Sequence, residues 1–127
     1  MREILFRGKD NGVLNNQWQF GSIDFTNEKF PQIIRYDRFG NKMYITVDDE
    51  SVGQFTGLTD KNGKKIFEGD ICRVGNLLYK VEFKCSCWWF TILSSKVYCC
   101  PAFNSHCGDY CEVIGNIHDN PEILEGA

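Results

Sequence analysis

The sequence predicts a mainly β protein, and three observations carry that reading. Apolar patterns of helical period are missing across its 127 residues. Short apolar runs recur instead, separated by Gly, Asn and Asp, as in all-β chains. One segment, Leu77 to Lys84, sets Leu77, Tyr79, Val81 and Phe83 against Leu78, Lys80, Glu82 and Lys84, which is the period of a strand.

The elements follow in chain order. Ile4 to Arg7 is a short strand. Gln17 to Phe25 alternates Trp18, Phe20 and Ser22 against Gln17, Gln19 and Gly21, which predicts a strand with a bend at Gly21. Gln32 to Tyr36 and Lys42 to Val47 are strands joined by a turn at Arg38-Phe39-Gly40-Asn41. Asp48 to Ser51 opens one helical turn, since carboxylates suit a helix N-terminus. The run Thr59-Asp60-Lys61-Asn62-Gly63 is a turn between two apolar stretches, with Gly63 tolerant of positive φ. Ile71 to Val74 is a strand, turned by Gly75-Asn76 into Leu77 to Lys84. Trp88 to Leu93, Lys96 to Cys99 and Cys111 to Ile117 complete the strands. Asn120 to Leu124 ends in a short turn of helix. The chain divides into an N-terminal β lobe of about residues 1–56 and an SH3-like or barrel-like half of about residues 57–127.

Length and composition suit one domain with its own core. Apolar residues make up 43%, with ten Phe, five Tyr and three Trp, so the signature of disorder is absent. The net charge of −3 argues against a non-specific nucleic-acid binder, which carries a basic excess. The clusters Lys61, Lys64, Lys65 and Arg2, Arg7, Lys9 read as solvated side chains. No apolar run is long enough for a membrane helix, and the N-terminus has no signal-peptide pattern, so a cytoplasmic protein is expected. In that compartment the seven cysteines are thiols or metal ligands rather than disulfides.

Three separated blocks carry a family resemblance. The first is Arg2 to Gly8, REILFRG. The second runs through Val52 to Leu58, VGQFTGL, then Asp60 to Lys64, DKNGK, and Ile66 to Ile71, IFEGDI. The third is Glu112 to Ile117, EVIGNI, followed by Asn120-Pro121-Glu122. Together they resemble the YopX family of small proteins, found mainly in bacteriophages and prophages. The resemblance implies a β-rich fold with a barrel-like C-terminal half, in the cytoplasm of a bacterial host cell. No activity is established for the family, so it implies no catalytic residues. Within the motif, Gly57, Gly63 and Gly69 fit turns or close backbone approach, and Asp70 is placed to accept hydrogen bonds from turn N–H groups. Phe55, Leu58, Ile66 and Phe67 are expected to pack beneath the loop. This makes the motif a scaffold.

Six of the seven cysteines lie from Cys85 to Cys111, where the chain departs from the family pattern. Zinc takes four thiolate or imidazole ligands, often from close-spaced pairs. Cys85 with Cys87, and Cys107 with Cys111, supply two such pairs, with Cys99, Cys100 and His106 in reserve. The spacing lacks a C-x₂-C pair, and buried free thiols are the alternative, since Cys packs as a small hydrophobe. No other cofactor is expected. Trp88-Trp89-Phe90 is a candidate interface, with Trp88 and Phe90 on one strand face and Trp89 on the other.

No arrangement joins a nucleophile, a base and an orienting group. Neither His106 nor His118 has a flanking signature, and Asp48-Asp49-Glu50 reads as a solvated turn. The sequence therefore points to a non-enzymatic interaction module that self-associates. The alternatives are a small barrel that binds nucleic acid through aromatic faces and a zinc-stabilised structural module.

Overall fold

A computed structural model describes residues 3–10, 12, 16–84, 87–93, 98–99 and 110–126. The chain is mainly β, with two antiparallel sheets and one short helix among these residues. It divides into two compact units, Met1–Phe55 and Thr56–Ala127.

The first unit holds β1 (Phe6–Lys9), β2 (Trp18–Asp24), β3 (Gln32–Tyr36), β4 (Lys42–Thr46), a 3₁₀ turn at Asp49–Ser51 and the start of β5 (Gly53–Thr59). The strands lie in the order β4-β3-β2-β1-β5. Gly21 sits where β2 changes partners. Before it β2 pairs with β1, and after it with β3 from Ser22↔Ile34 to Asp24↔Gln32. A Cβ on Gly21 would stand 2.2 Å from the Ile34 carbonyl oxygen, so this close approach needs glycine.

The sheet curls so that the end of β4 reaches the end of β1. Val47, just past β4, bridges to Asp10, just past β1, and the Asp48 N–H donates to the Lys9 carbonyl at 2.8 Å. Ile33, Ile45 and Val47 fill the inside of the curl. The buried Asp10 carboxylate holds the β1–β2 connection, accepting backbone N–H groups of Gly12, Asn16 and Gln17 and the Gln19 side-chain amide.

The second unit contains the rest of β5, then β6 (Lys65–Phe67), β7 (Asp70–Val74), β8 (Leu77–Lys84), β9 (Cys87–Ile92), β10 (Tyr98–Cys99), β11 (Glu112–Asn116) and α1 (Pro121–Gly126). The apolar stretches around the Thr59–Gly63 turn thus form a hairpin of β5 and β6. A five-stranded sheet follows in the order β10-β9-β8-β7-β11. Among the described residues it is open, with β10 and β11 at its edges. The expected β-rich half is present, and its sheet does not close into a barrel, because β10 contributes only two residues to a ladder that would have to continue round. The alternation read in β8 is real: Tyr79 and Val81 join Ile66, Cys72, Phe90, Cys111 and Val113 in the core, and Tyr79 packs edge-on against Phe90. No helix among the described residues is long and apolar enough to cross a membrane.

Candidate functional site

The motif glycines have left-handed backbone: φ is +93° at Gly57, within β5, and +82° at Gly63 and +90° at Gly69, both in turns. Gly69 is buried, donates its N–H to the Val81 carbonyl at 2.9 Å and accepts from Ile117 N–H at 2.9 Å. Asp70 takes the Phe67 N–H at 2.7 Å, so its carboxylate ties the β6–β7 turn. Asp60 does more than form its own turn. Oδ1 accepts from Asn62 and Lys64 N–H, while Oδ2 accepts from Val113 N–H on β11, each at 2.9 Å. Burial pushes the Asp60 pKa up, but these backbone hydrogen bonds and Lys64 outweigh it and hold the carboxyl below its ordinary range.

The cysteines separate. Cys87 is exposed on β9, whereas Cys111 is fully buried just before β11. With β8 and β7 between those strands, and with Cys87 opposite Lys84 at one end of β8 while Cys111 lies beside the Glu112–Arg73 pair near its other end, the two residues are separated both across and along the sheet, by more than about 14 Å. Two ligands of one zinc ion, each with a Zn–S bond of about 2.3 Å, are far closer than that. Cys85, Cys107 and the reserve ligands Cys100 and His106 lie outside the described residues, as does the side chain of Cys99. Among the described residues no three metal-ligating side chains converge. Cys111 instead hydrogen-bonds Cys72, on the neighbouring strand. That bond, burial, and the charges of Cys111, Asp70 and Asp60 push the Cys72 thiol far up, so it stays neutral.

Trp88, Trp89 and Phe90 divide as a strand requires. Phe90 is in the core and Trp88 packs against it, stacked edge-on with Phe83 at 4.9 Å. Trp89 is on the opposite face, across from Glu82. His118 is half-buried in the turn after β11, where its N–H donates to the Asn116 side-chain oxygen.

The surface that stands out is the outer face of the first unit's sheet. Cross-strand partners share a face, so the register assigns it row by row. Asp24, Gln32 and Thr46 form one row, and Ser22, Ile34 and Tyr44 the next. Tyr36 lies beside Lys42, Phe20 beside Arg7 and Trp18 beside Lys9. Phe20, Tyr36 and Tyr44 are 45%, 65% and 52% exposed. Cations accompany the rings: Lys42 stands 5.3 Å from the centre of Tyr44, Lys9 6.0 Å from Trp18, and the buried Arg7 4.5 Å from Trp18. At the hairpin tip Arg38 covers exposed Phe39 at 4.9 Å.

That tip is rigidly tied. Asp37 accepts from Phe39 and Asn41 N–H and from the Asn41 amide. A hydrogen bond with Tyr44, reinforced by the Tyr44 and Tyr36 phenols, raises the Lys42 pKa and keeps it cationic. The acidic member of the face is Asp24. A hydrogen bond from the Thr26 hydroxyl and another from its N–H lower the Asp24 pKa. The sequence reading missed this surface. The signal was there in Ile34-x-Tyr36 and Lys42-x-Tyr44, which a hairpin turned at Arg38–Asn41 brings onto one face.

The fold and the tied motif define the class as a small, mainly β protein whose central turn is clipped to its last strand. The family described as YopX protein matches residues 6–125, and the chain belongs to the YopX family. No curated protein matches it. Its fold is similar to the crystal structure of protein EF1440 from Enterococcus faecalis, with 23% identity and a TM-score of 0.58 over 98% of this chain and 99% of that one.

Proposed function

We propose that this protein is a non-enzymatic binding module that holds single-stranded nucleic acid on the outer face of its N-terminal sheet. The observation that supports it is the exposure of Phe20, Tyr36 and Tyr44 on one sheet face beside Lys42. Exposed rings on a sheet are stacking platforms for bases, and each stacked base contributes about 1–3 kcal/mol. Lys42, Arg38 and Lys9 supply local positive charge for phosphates despite the acidic chain as a whole. On β2, Trp18 and Phe20 are two residues apart, about 6.8 Å along the strand, a step that suits successive splayed nucleotides.

Fluorescence anisotropy of labelled single-stranded DNA and RNA tests the reading. Binding is expected to weaken as salt rises from about 50 to 200 mM, with a slope of two or three phosphate contacts on a log–log plot. No binding at the lowest salt would overturn it. A doubling of mass by light scattering without oligonucleotide, with no oligonucleotide binding, would instead put a second copy on this face.

A further inference from the structure

One end of this face is not aromatic. A cleft of about 350 Å³ opens there, lined by Asp24, Thr26, Asn27, Phe30, Gln32 and Thr46. Its floor is the cross-strand row Asp24–Gln32–Thr46, and Phe30, 55% exposed, stands at its side. The row continues the plane of Ser22, Ile34 and Tyr44, so the cleft is part of the proposed platform.

The polar groups in the cleft have a definite pattern. Asp24 Oδ1 is occupied, accepting the Thr26 N–H at 2.8 Å and the Thr26 hydroxyl at 2.6 Å. Those bonds fix the carboxylate, while Oδ2 accepts no hydrogen bond among the described residues. Beside it, Gln32 Nε2 directs one N–H to the Thr46 hydroxyl at 3.4 Å and has a second N–H to donate. Direct cross-strand partners hold their Cβ atoms about 5 Å apart. The cleft therefore presents two acceptor sites on Oδ2 followed by a donor on Gln32.

The nucleobases differ in their hydrogen-bonding edges. Along the Watson–Crick edge guanine shows two donors, N2–H and N1–H, then the O6 acceptor. Cytosine shows one donor and two acceptors, uracil and thymine a donor between two acceptors, and adenine one donor beside an acceptor. A carboxylate oxygen repels any ring acceptor set against it. We propose that the cleft selects a guanine base, with N1–H and N2–H donating to Asp24 Oδ2, Gln32 Nε2 donating to O6, and Phe30 stacking on the ring. The proposal rests on the single-strand reading of the same face and adds a sequence preference to it.

Two measurements on the full chain separate the two claims. The first follows backbone amide shifts by NMR during titration with GMP, AMP, CMP and UMP. GMP alone is expected to move Asp24, Thr26 and Gln32, and Asp24→Asn to abolish the response. Should Asp24→Asn fail to fold, Gln32→Leu serves as the second variant; it removes the O6 donor together with the hydrogen bond to Thr46 and is expected to weaken the GMP response, and an undiminished response would overturn the guanine site. Equal shifts with every nucleotide, or none, would overturn the guanine site. The second compares oligothymidylate with the same oligomer carrying one central guanine. The guanine oligomer is expected to bind about tenfold tighter, with the difference lost in Asp24→Asn. Equal affinity for both oligomers would overturn the guanine site and leave the single-strand reading standing. If neither oligomer binds while GMP still gives its local shifts, the guanine site stands and the single-strand reading falls.

Discussion

Asp60 and Val113, fifty-three residues apart in sequence, are joined by a 2.9 Å hydrogen bond from the Val113 N–H to Asp60 Oδ2. The same carboxylate closes its own turn through Asn62 and Lys64, and Lys61 N–H reaches the Cys111 carbonyl at 3.0 Å. One side chain thus fixes the β5–β6 hairpin to β11. Asp60→Asn keeps a single carbonyl acceptor and turns an N–H donor toward other N–H groups. The expected loss is about 2–3 kcal/mol by urea denaturation, since hydrogen bonds to a buried charge are the strong ones. A loss within experimental error would show that the clip does not stabilise the fold.

The same carboxylate sets a pH dependence. Its folded pKa lies below the ordinary value of 3.8, so the unfolded chain binds the proton more readily. The stabilisation is complete well above pH 3.8. It is lost as pH falls from there through the folded pKa. Asp24 and Asp37 shift in the same direction but are solvent-facing, so their share is small. Stability measured from pH 6 down to about pH 2 is expected to fall less steeply in Asp60→Asn than in the parent. Identical slopes would place the acid sensitivity elsewhere.

Gly69 tests the scaffold reading of the motif. Its φ of +90° and its two backbone hydrogen bonds leave an L-residue strained. Gly69→Ala is expected to cost about 1–2 kcal/mol, a fall of several degrees in Tm. Gly63→Asn is the control. Its φ of +82° falls in an open turn with nothing near the added Cβ, and Asn tolerates positive φ, so Tm should change little. Equal effects of the two substitutions would remove the distinction.

Thiol reactivity should separate the described cysteines. The thiolate is the reactive form. Cys87 is exposed, while Cys72 and Cys111 are fully buried and Cys72 is held neutral. Peptide mapping after a brief alkylation pulse in native buffer is expected to find Cys87 modified and Cys72 and Cys111 modified only in urea. Rapid native labelling of Cys72 would contradict the buried pair.

Much of the fold was legible locally. The β8 alternation, the Gly21 bend, the 3₁₀ turn after Asp48 and the helix opened by Pro121 each depend on a few adjacent residues. What the sequence did not show was facing. Along β2 the aromatic residues Trp18 and Phe20 alternate with Gln19, which by polarity alone would be the solvent side. The structure buries Gln19 to 3% exposure and leaves Phe20 at 45%. Gln19 lies inside because its amide donates to the buried Asp10 carboxylate, a contact set by the β1–β2 connection rather than by strand periodicity. Cys72 was likewise invisible as the partner of Cys111, because only the β7–β11 pairing brings them together.

The double substitution Phe20→Ala with Tyr44→Ala tests the central claim most directly, by anisotropy with a labelled single-stranded oligonucleotide at low salt. Both rings are exposed, so Tm should stay within a few degrees of the parent. Loss of two stacked bases predicts affinity at least about tenfold weaker. Unchanged affinity in a folded double variant would contradict the aromatic face as the binding surface.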